Sequence, residues 1–311
     1  MKKIIIAATL VCSFVFAANA QNKISFEHLD LGVSAGTTGL GIDLAVPLNQ
    51  HFRVRAGFSF IPEFDKKINF GIEGRKKDEN GNWVPTKFEK MAEKFSQLTS
   101  LKIDDNVDML GTPDFYNGNL LIDYYPIKKS AFRITAGFYF GGSKVAHARN
   151  TIEDMSSLLG VTMYNQFYSK IENGEPVIGD DIYLTPELEE KFMQYGRMGI
   201  YIGDRADNGE PYMMEPADDS TVKVDIFANS FKPYLGVGYG GQLTKRNEGI
   251  RLEFDAGMLF WGGTPEIITH DGTDLAKDVV NVSGKVGRYV RFIKGLKVYP
   301  VLNLRLSFRL F

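Results

Sequence analysis

Residues 29–60 read LDLGVSAGTTGLGIDLAVPLNQHFRVRAGFSF. Leu29, Leu31, Val33 and Ala35 alternate with Asp30, Gly32, Ser34 and Gly36, which is the two-residue period of a strand with one apolar face. Leu40, Ile42, Leu44, Val46 and Leu48 then alternate with Gly41, Asp43 and Ala45, and Phe52, Val54, Ala56, Phe58 and Phe60 with Arg53, Arg55, Gly57 and Ser59. Only Thr37-Thr38-Gly39 and Asn49-Gln50 separate the three segments. Connections so short and polar are turns, so the stretch predicts an antiparallel meander.

The same rule finds five more strands. Leu120, Ile122 and Tyr124 face away from Asn117, Asn119 and Asp123; Phe132, Ile134, Ala136, Phe138 and Phe140 from Arg133, Thr135, Gly137 and Tyr139. Further on, Phe231, Leu235, Val237 and Tyr239 oppose Lys232, Tyr234, Gly236 and Gly238, and Leu252, Phe254, Ala256, Met258 and Phe260 oppose Arg251, Glu253, Asp255 and Gly257. The last segment sets Leu302, Leu304, Leu306, Phe308 and Leu310 against Asn303, Arg305, Ser307 and Arg309. Segments of about ten residues match the 9–11 that a tilted strand needs to cross a bilayer. A soluble eight-stranded barrel would show the same alternation. Two features favour lipid on the apolar side: the polar face is rich in Gly, Ser, Asp and Arg rather than in the flexible Lys and Glu of a wet exterior, and the connections alternate between short and very long. The expected fold is an all-β, eight-stranded antiparallel transmembrane barrel with long, partly helical extracellular loops.

Totals over the chain hide this. The 311 residues are 44% hydrophobic and 24% charged, with one cysteine, as in an ordinary soluble protein. Residues 1–20 supply the compartment: Lys2-Lys3, an apolar run from Ile4 to Ala18, and Ala18-Asn19-Ala20 before Gln21 have the layout of a secretory signal peptide. Cys12 lies within it, which leaves residues 21–311 without a thiol for a disulfide, a metal site or a nucleophile. Lys2 and Lys3 are the only charges in the leader, so the remainder is acidic on balance. That excludes a nucleic-acid binder working through a basic surface.

The chain resembles the small outer-membrane β-barrel proteins of the Bacteroidota through Lys232-Pro-Tyr-Leu-Gly-Val-Gly-Tyr-Gly240, Phe254-Asp-Ala-Gly-Met-Leu-Phe-Trp-Gly-Gly263, and a chain end that runs from Tyr299-Pro-Val-Leu302 to Phe311. The likeness covers the strands and fades in the loops. It implies that Phe308, Leu310 and Phe311 form the end read by the barrel-inserting machinery, although Phe311 falls one residue out of phase with the apolar face that ends at Leu310.

With the apolar face outward, the lumen receives Asp30, Asp43, Asp123, Glu253 and Asp255 together with Arg53, Arg55, Arg133, Lys232, Arg251, Arg305 and Arg309. An eight-stranded barrel is only wide enough for side chains to fill. Opposite charges in that space pair, since an isolated buried charge is costly, so a plugged barrel is expected. The competing reading of the same charges is an ion pathway or proton-linked gate. Tyr124, Tyr125, Tyr139, Tyr239 and Trp261 sit near strand ends, as interfacial girdle residues do.

Three outer connections, residues 62–115, 142–230 and 263–296, hold most of the rest and are expected to form a cap. Phe88, Met91, Phe95 and Leu98 after Thr86 have helical spacing, and Thr185-Pro186-Glu187 before Leu188 and Phe192 reads as a helix start. A third, weakly amphipathic helical stretch is expected from Asp274 to about Ile293. Asn80-Gly81, Asn173-Gly174 and Asn208-Gly209 are expected to be hairpin turns. Among the four histidines, Ser143 with His147 and His270 with Asp271 are the only pairings that could serve a lipid-modifying enzyme. Asp180-Asp181, Asp204 with Asp207, and Asp218-Asp219 lack the spacing of a calcium loop. The chain is therefore expected to be a monomeric, non-enzymatic barrel without cofactor, in contact with outer-membrane lipid, whose cap meets an extracellular protein or glycan or supports the envelope. The alternatives are a narrow passage for a small solute and, behind it, the lipid-modifying enzyme.

Overall fold

The computed structural model describes residues 28–86, 93, 104–127, 130–177, 179–244 and 247–310. The leader, Phe311 and the helical spacing at residues 88–98 lie outside them, as does any test of those readings. Eight long strands form a closed antiparallel barrel: β1 (Asp30–Gly36), β2 (Gly39–Pro47), β3 (Phe52–Phe60), β8 (Tyr116–Tyr124), β9 (Phe132–Gly141), β14 (Phe231–Thr244), β15 (Asn247–Leu259) and β18 (Tyr299–Arg309). Each pairs with its barrel neighbour along the chain, and β18 closes on β1 with Asp30 opposite Arg309 and Gly36 opposite Asn303. These are the eight segments that alternation marks out.

The pleat explains their orientation. Leu40, Ile42 and Leu44 are 48, 53 and 46% exposed, whereas Asp43 and Ala45 between and beside them are buried. Leu235, Val237, Phe254, Met258, Leu302 and Leu304 continue the exposed apolar surface around the wall. A contiguous apolar belt of this extent has no place in water, and strands closed into a barrel satisfy every backbone group without it. The tightest connection is Thr37-Thr38, between β1 and β2. Gly39 holds φ at +85° there, and a Cβ would meet the Phe60 carbonyl oxygen at 2.0 Å, so this corner admits only glycine.

Between the barrel strands, on the side of the long connections, lie β4 (Lys66–Gly71), β5 (Glu73–Lys77), β6 (Trp83–Thr86), β7 (Asn106–Pro113), β10 (Lys144–Asn150), β11 (Arg197–Arg205), β12 (Pro211–Met214), β13 (Lys223–Phe227), β16 (Glu266–Thr269) and β17 (Val279–Val280). They make two further sheets, ordered β16-β13-β10-β7-β4 and β12-β11-β5-β6, with β17 on β11. The helix Met155–Glu172 packs between them, burying Leu158, Val161 and Tyr164 with Val107, Met109, Met198, Ile202 and Val222. The outer connections are thus a folded cap with its own core.

Three details differ from expectation. The helix Pro186–Met193 starts at Thr185-Pro186 as anticipated, but Met155–Glu172 was not, and Asn173-Gly174 ends that helix instead of turning a hairpin. Gly174 takes φ +69° there, a left-handed helix stop. By contrast Asn80-Gly81 and Asn208-Gly209 do join paired strands, β5 to β6 and β11 to β12. The expected helix from Asp274 is shorter, Gly284–Gly295. Its first residues instead turn back so that β17 can pair with Asp204 and Arg205 of β11, beyond the Arg197–Gly199 stretch that β5 covers.

Candidate functional site

The lumen is the most chemically concentrated part of the molecule. In its inner half, β3 contributes Arg53 and Arg55, β9 Arg133 and β18 Arg305; facing them are Asp43 of β2, Asp123 of β8, and Glu253 and Asp255 of β15. All eight are at most 9% exposed. Arg53 reaches Asp123 at 2.8 Å and takes Glu253 with both terminal nitrogens, each at 2.8 Å. Arg55 bridges Asp123 (2.9 Å) and Asp255 (3.0 Å), and Arg133 bridges Asp255 (2.7 Å) and Glu253 (3.1 Å). Arg305 pairs with Asp43 at 2.6 Å and approaches Glu253 at 3.3 Å. The Thr135 hydroxyl donates to Asp123 Oδ1 at 2.7 Å.

Four guanidinium groups and four carboxylates cancel, and their geometry is a lattice rather than separate pairs. An ion in transit through such a lattice would have to displace a partner from a site where charge cannot stand alone. Space is correspondingly small: the cavity beside it, lined by Ser59, Asp43, Asp255 and Asn303, is about 30 Å³, room for a water or two.

The outer half closes differently. Tyr139 and Tyr234 meet edge to face at 5.6 Å and pack with Leu121, Leu259, Val301, Phe115 and Trp261. Tyr139 therefore points into the lumen, and Trp261 is buried under the cap with its Nε1–H donated to Leu296 O at 2.8 Å. Neither belongs to a lipid-facing girdle. Sequence reasoning missed this aromatic plug, although Tyr139 and Tyr234 stand in phase with the polar face and Leu259 continues it.

The remaining candidates are placed apart. Lys232 is buried above the plug, where its Nζ donates to Asn117 Oδ1 (3.0 Å), Gly142 O (3.4 Å) and Ser230 O (3.5 Å). Asp30 is buried near the inner opening, 3.7 Å from His28 Nε2. Arg251 only touches the edge of the lattice, its Nε 3.8 Å from Glu253 Oε1. Arg309 is exposed and takes no part, because β18 has run out of the barrel interior by that point. Phe308 is half-buried and Leu310 exposed at the same end.

In the cap, His147 Nδ1 lies 2.6 Å from Asp114 Oδ2, with Lys144 Nζ 3.7 Å from the same oxygen. No hydrogen bond joins His147 to Ser143, whose carbonyl accepts from Ala228 N–H. Lys223 N–H donates to His270 Nδ1 at 3.4 Å, while the Asp271 carboxylate accepts from Tyr212 and Thr273, not from His270. The two pairings foreseen for catalysis are therefore not assembled. Asp204 accepts from Tyr201 and Asn281, and Asp219 from Thr221 and Lys223. Thr221 and Lys223 hold the Asp219 carboxyl down to about 2.

A closed eight-stranded barrel with an apolar exterior belt, a charged packed lumen and long connections on one side is an integral outer-membrane β-barrel. No protein-family model matches the chain, and no curated protein sequence matches it. Among solved structures it is similar to CarO2 of Acinetobacter baumannii, at 12% identity over 91% of this chain and 98% of that one, with a TM-score of 0.36. CarO of the same organism gives 14% identity over 91% and 97%, at 0.37. A major outer membrane protein from Thermus thermophilus gives 12% over 91% and 98%, at 0.28. At such scores the reading of this chain rests on its own geometry.

Proposed function

We propose that the barrel is an anchor and that the cap is the working part, displaying a folded surface to an extracellular protein or glycan. The observation that carries this is the four-arginine, four-carboxylate lattice across the lumen, while the cap keeps a separate core in which Tyr164, Met198, Ile202 and Val222 are fully buried. Ile182, Tyr183 and Leu188 stand 50–58% exposed on the cap beside the helix Pro186–Met193, a cluster of apolar contact residues of the kind partner surfaces use. The same proposal has the chain exported through residues 1–20, inserted through the end that carries Phe308, Leu310 and Phe311, and working as a monomer. Its kinship with the Bacteroidota barrels, carried by residues 232–240, 254–263 and 299–311, belongs with it.

Photo-crosslinking on intact cells tests it. A crosslinker at Tyr183 should capture a protein or glycan that one at lipid-facing Phe254 does not; identical capture from both positions removes the reading. Substitution is preferable to deleting residues 142–230, which would take out β10 to β13 and the two helices between β10 and β11. Purified protein in planar bilayers should give no steady conductance steps, and regular steps would make it a passage instead.

A further inference from the structure

We propose that the helix Gly284–Gly295 and the barrel wall beneath it form a binding site for a phosphate-bearing lipid of the outer leaflet. This goes beyond display and holds whether or not the cap binds a partner.

Charge is the first observation. Lys285, Arg288, Arg291, Lys294 and Lys297 fall within thirteen residues, and no Asp or Glu follows Asp278 anywhere in the chain. Lys285 Nζ donates to Asn69 O at 3.2 Å and Arg291 to Val282 O at 2.6 Å; among the described residues none of the five forms an ion pair. Val286, Gly287, Val290 and Ile293 turn to the cap core, so the opposite face presents Arg288 with Tyr289 (37% exposed) and Phe292 (66% exposed). Cations interleaved with exposed aromatics are the make-up of a helix that lies at a membrane surface.

Position is the second. Leu296, just past the helix, is bonded to Trp261, and Tyr299 opens β18 opposite Leu259. The helix therefore ends on the outer rim, and its twelve residues extend only about 18 Å from it.

The third is the wall below. An apolar groove of about 440 Å³ runs over β9, β14 and β15 between Phe132 and Phe260, with Ile134, Leu235, Val237 and Met258 along it. Phe132 pairs with Tyr239 and Leu259 with Tyr234, so the groove covers about five residues of β14, roughly 17 Å. That is about the thickness of one hydrocarbon leaflet. Phe260 precedes Trp261, whose indole N–H donates to Leu296 O, and Leu259 pairs with Tyr299, which puts the groove's outer end near Lys297, the last of the five cations. A phosphate above and an acyl chain below fit this pairing; a free anion would use only the first.

Native mass spectrometry of the full-length protein released from vesicles of phosphatidylcholine with a minor fraction of phosphatidylglycerol reads the site. Phosphatidylglycerol should be retained well above its share of the bilayer. Each of Arg288→Gln, Lys294→Gln and Lys297→Gln should lower that preference by up to about fivefold, and Val237→Trp, which fills the groove, should lower retention of the lipid itself. In the unaltered protein, raising the salt should erase the preference, which reads the charges without relying on any variant folding. Retention in the bulk ratio overturns the proposal, as does retention that Val237→Trp leaves untouched. Displacement by inorganic phosphate at matched concentration overturns it too, since that would make the site a free-anion site.

Discussion

Arg53 and Glu253, 200 residues apart in the chain, meet across the lumen through two parallel hydrogen bonds of 2.8 Å. This fork joins β3 to β15, strands that are not neighbours in the barrel wall. Its partner atoms are further shared, with Arg133 and Arg305 both reaching Glu253 Oε2. Glu253 and Asp123 are thus the two carboxylates of the lattice on which three of its arginines converge.

Glu253→Gln removes the charge and keeps the shape, leaving cationic groups buried in excess. The expected cost is about 3–5 kcal/mol, seen as loss of the compact, heat-modifiable form in detergent at temperatures the unaltered barrel survives. The double variant Arg53→Met, Glu253→Leu should recover a large part, because an apolar pair removes both charges together. A Glu253→Gln barrel that melts like the parent would show that the lattice does not hold the lumen.

The contrast between barrel and cap shows what a sequence can disclose. The alternation of Leu235, Val237 and Tyr239 with Tyr234, Gly236 and Gly238 is written locally, and in a barrel whose strands pair with their chain neighbours local pattern is enough. Even the lumen lattice is legible at the level of which side chains share a space, because period two sends Arg53, Arg55, Asp123, Arg133, Glu253 and Asp255 to one side. Which arginine takes which acid is not legible, since that depends on stagger between strands. Cap strands are short and pair across distant parts of the chain: β13, residues 223–227, lies between β10 and β16. The helix Met155–Glu172 does carry a signal in Leu158, Val161 and Tyr164 and in Asp154 at its N-cap, but no side-chain cap bond forms there. Asp154 turns its carboxylate to Asp108 N–H and Thr151 instead of capping the helix.

Glycines in β14 separate packing from backbone preference. A Cβ on Gly238 would lie 2.6 Å from Arg133 Cζ, a group locked by Asp255 and Glu253, whereas one on Gly241 meets nothing within 4 Å. Gly238→Val should therefore cost about 3 kcal/mol or abolish the folded form, and Gly241→Val should be neutral or slightly stabilising. Thermal unfolding of the two variants side by side checks this; similar losses would place the tight packing elsewhere.

Acid should loosen one corner of the cap first. Burial by itself raises the Asp271 carboxyl, but hydrogen bonds from Thr269, the Thr273 N–H and Tyr212 outweigh it and hold the group below its ordinary value of 3.8. A carboxyl depressed in the folded state contributes stability that is complete above the unfolded value and fades as pH falls through the folded one. Amide exchange around β16, corrected for its intrinsic rate, should thus quicken below about pH 4. Asp271→Asn should quicken it already at neutral pH, by about 1 kcal/mol of local stability, and flatten the acid response. An unchanged acid response in that variant would assign it to another group.

Asn165 offers the sharpest test that cap and barrel are separate folding units. From the helix Met155–Glu172 its side-chain amide copies a strand: Nδ2 donates to Met198 O at 2.8 Å and Oδ1 accepts from Met198 N–H at 2.9 Å. Both Asn165 and Met198 are buried, so Asn165→Leu strands two backbone groups away from water, at about 1–3 kcal/mol each. Amide exchange in β11 and β12 should rise by about one to four orders of magnitude, because every 1.4 kcal/mol is a factor of ten. Barrel amides should keep their protection and the protein its heat-modifiable form, since the lattice from Arg53 to Arg305 makes no contact with this helix. Loss of barrel protection in the same variant would mean that the cap is needed to keep the barrel closed.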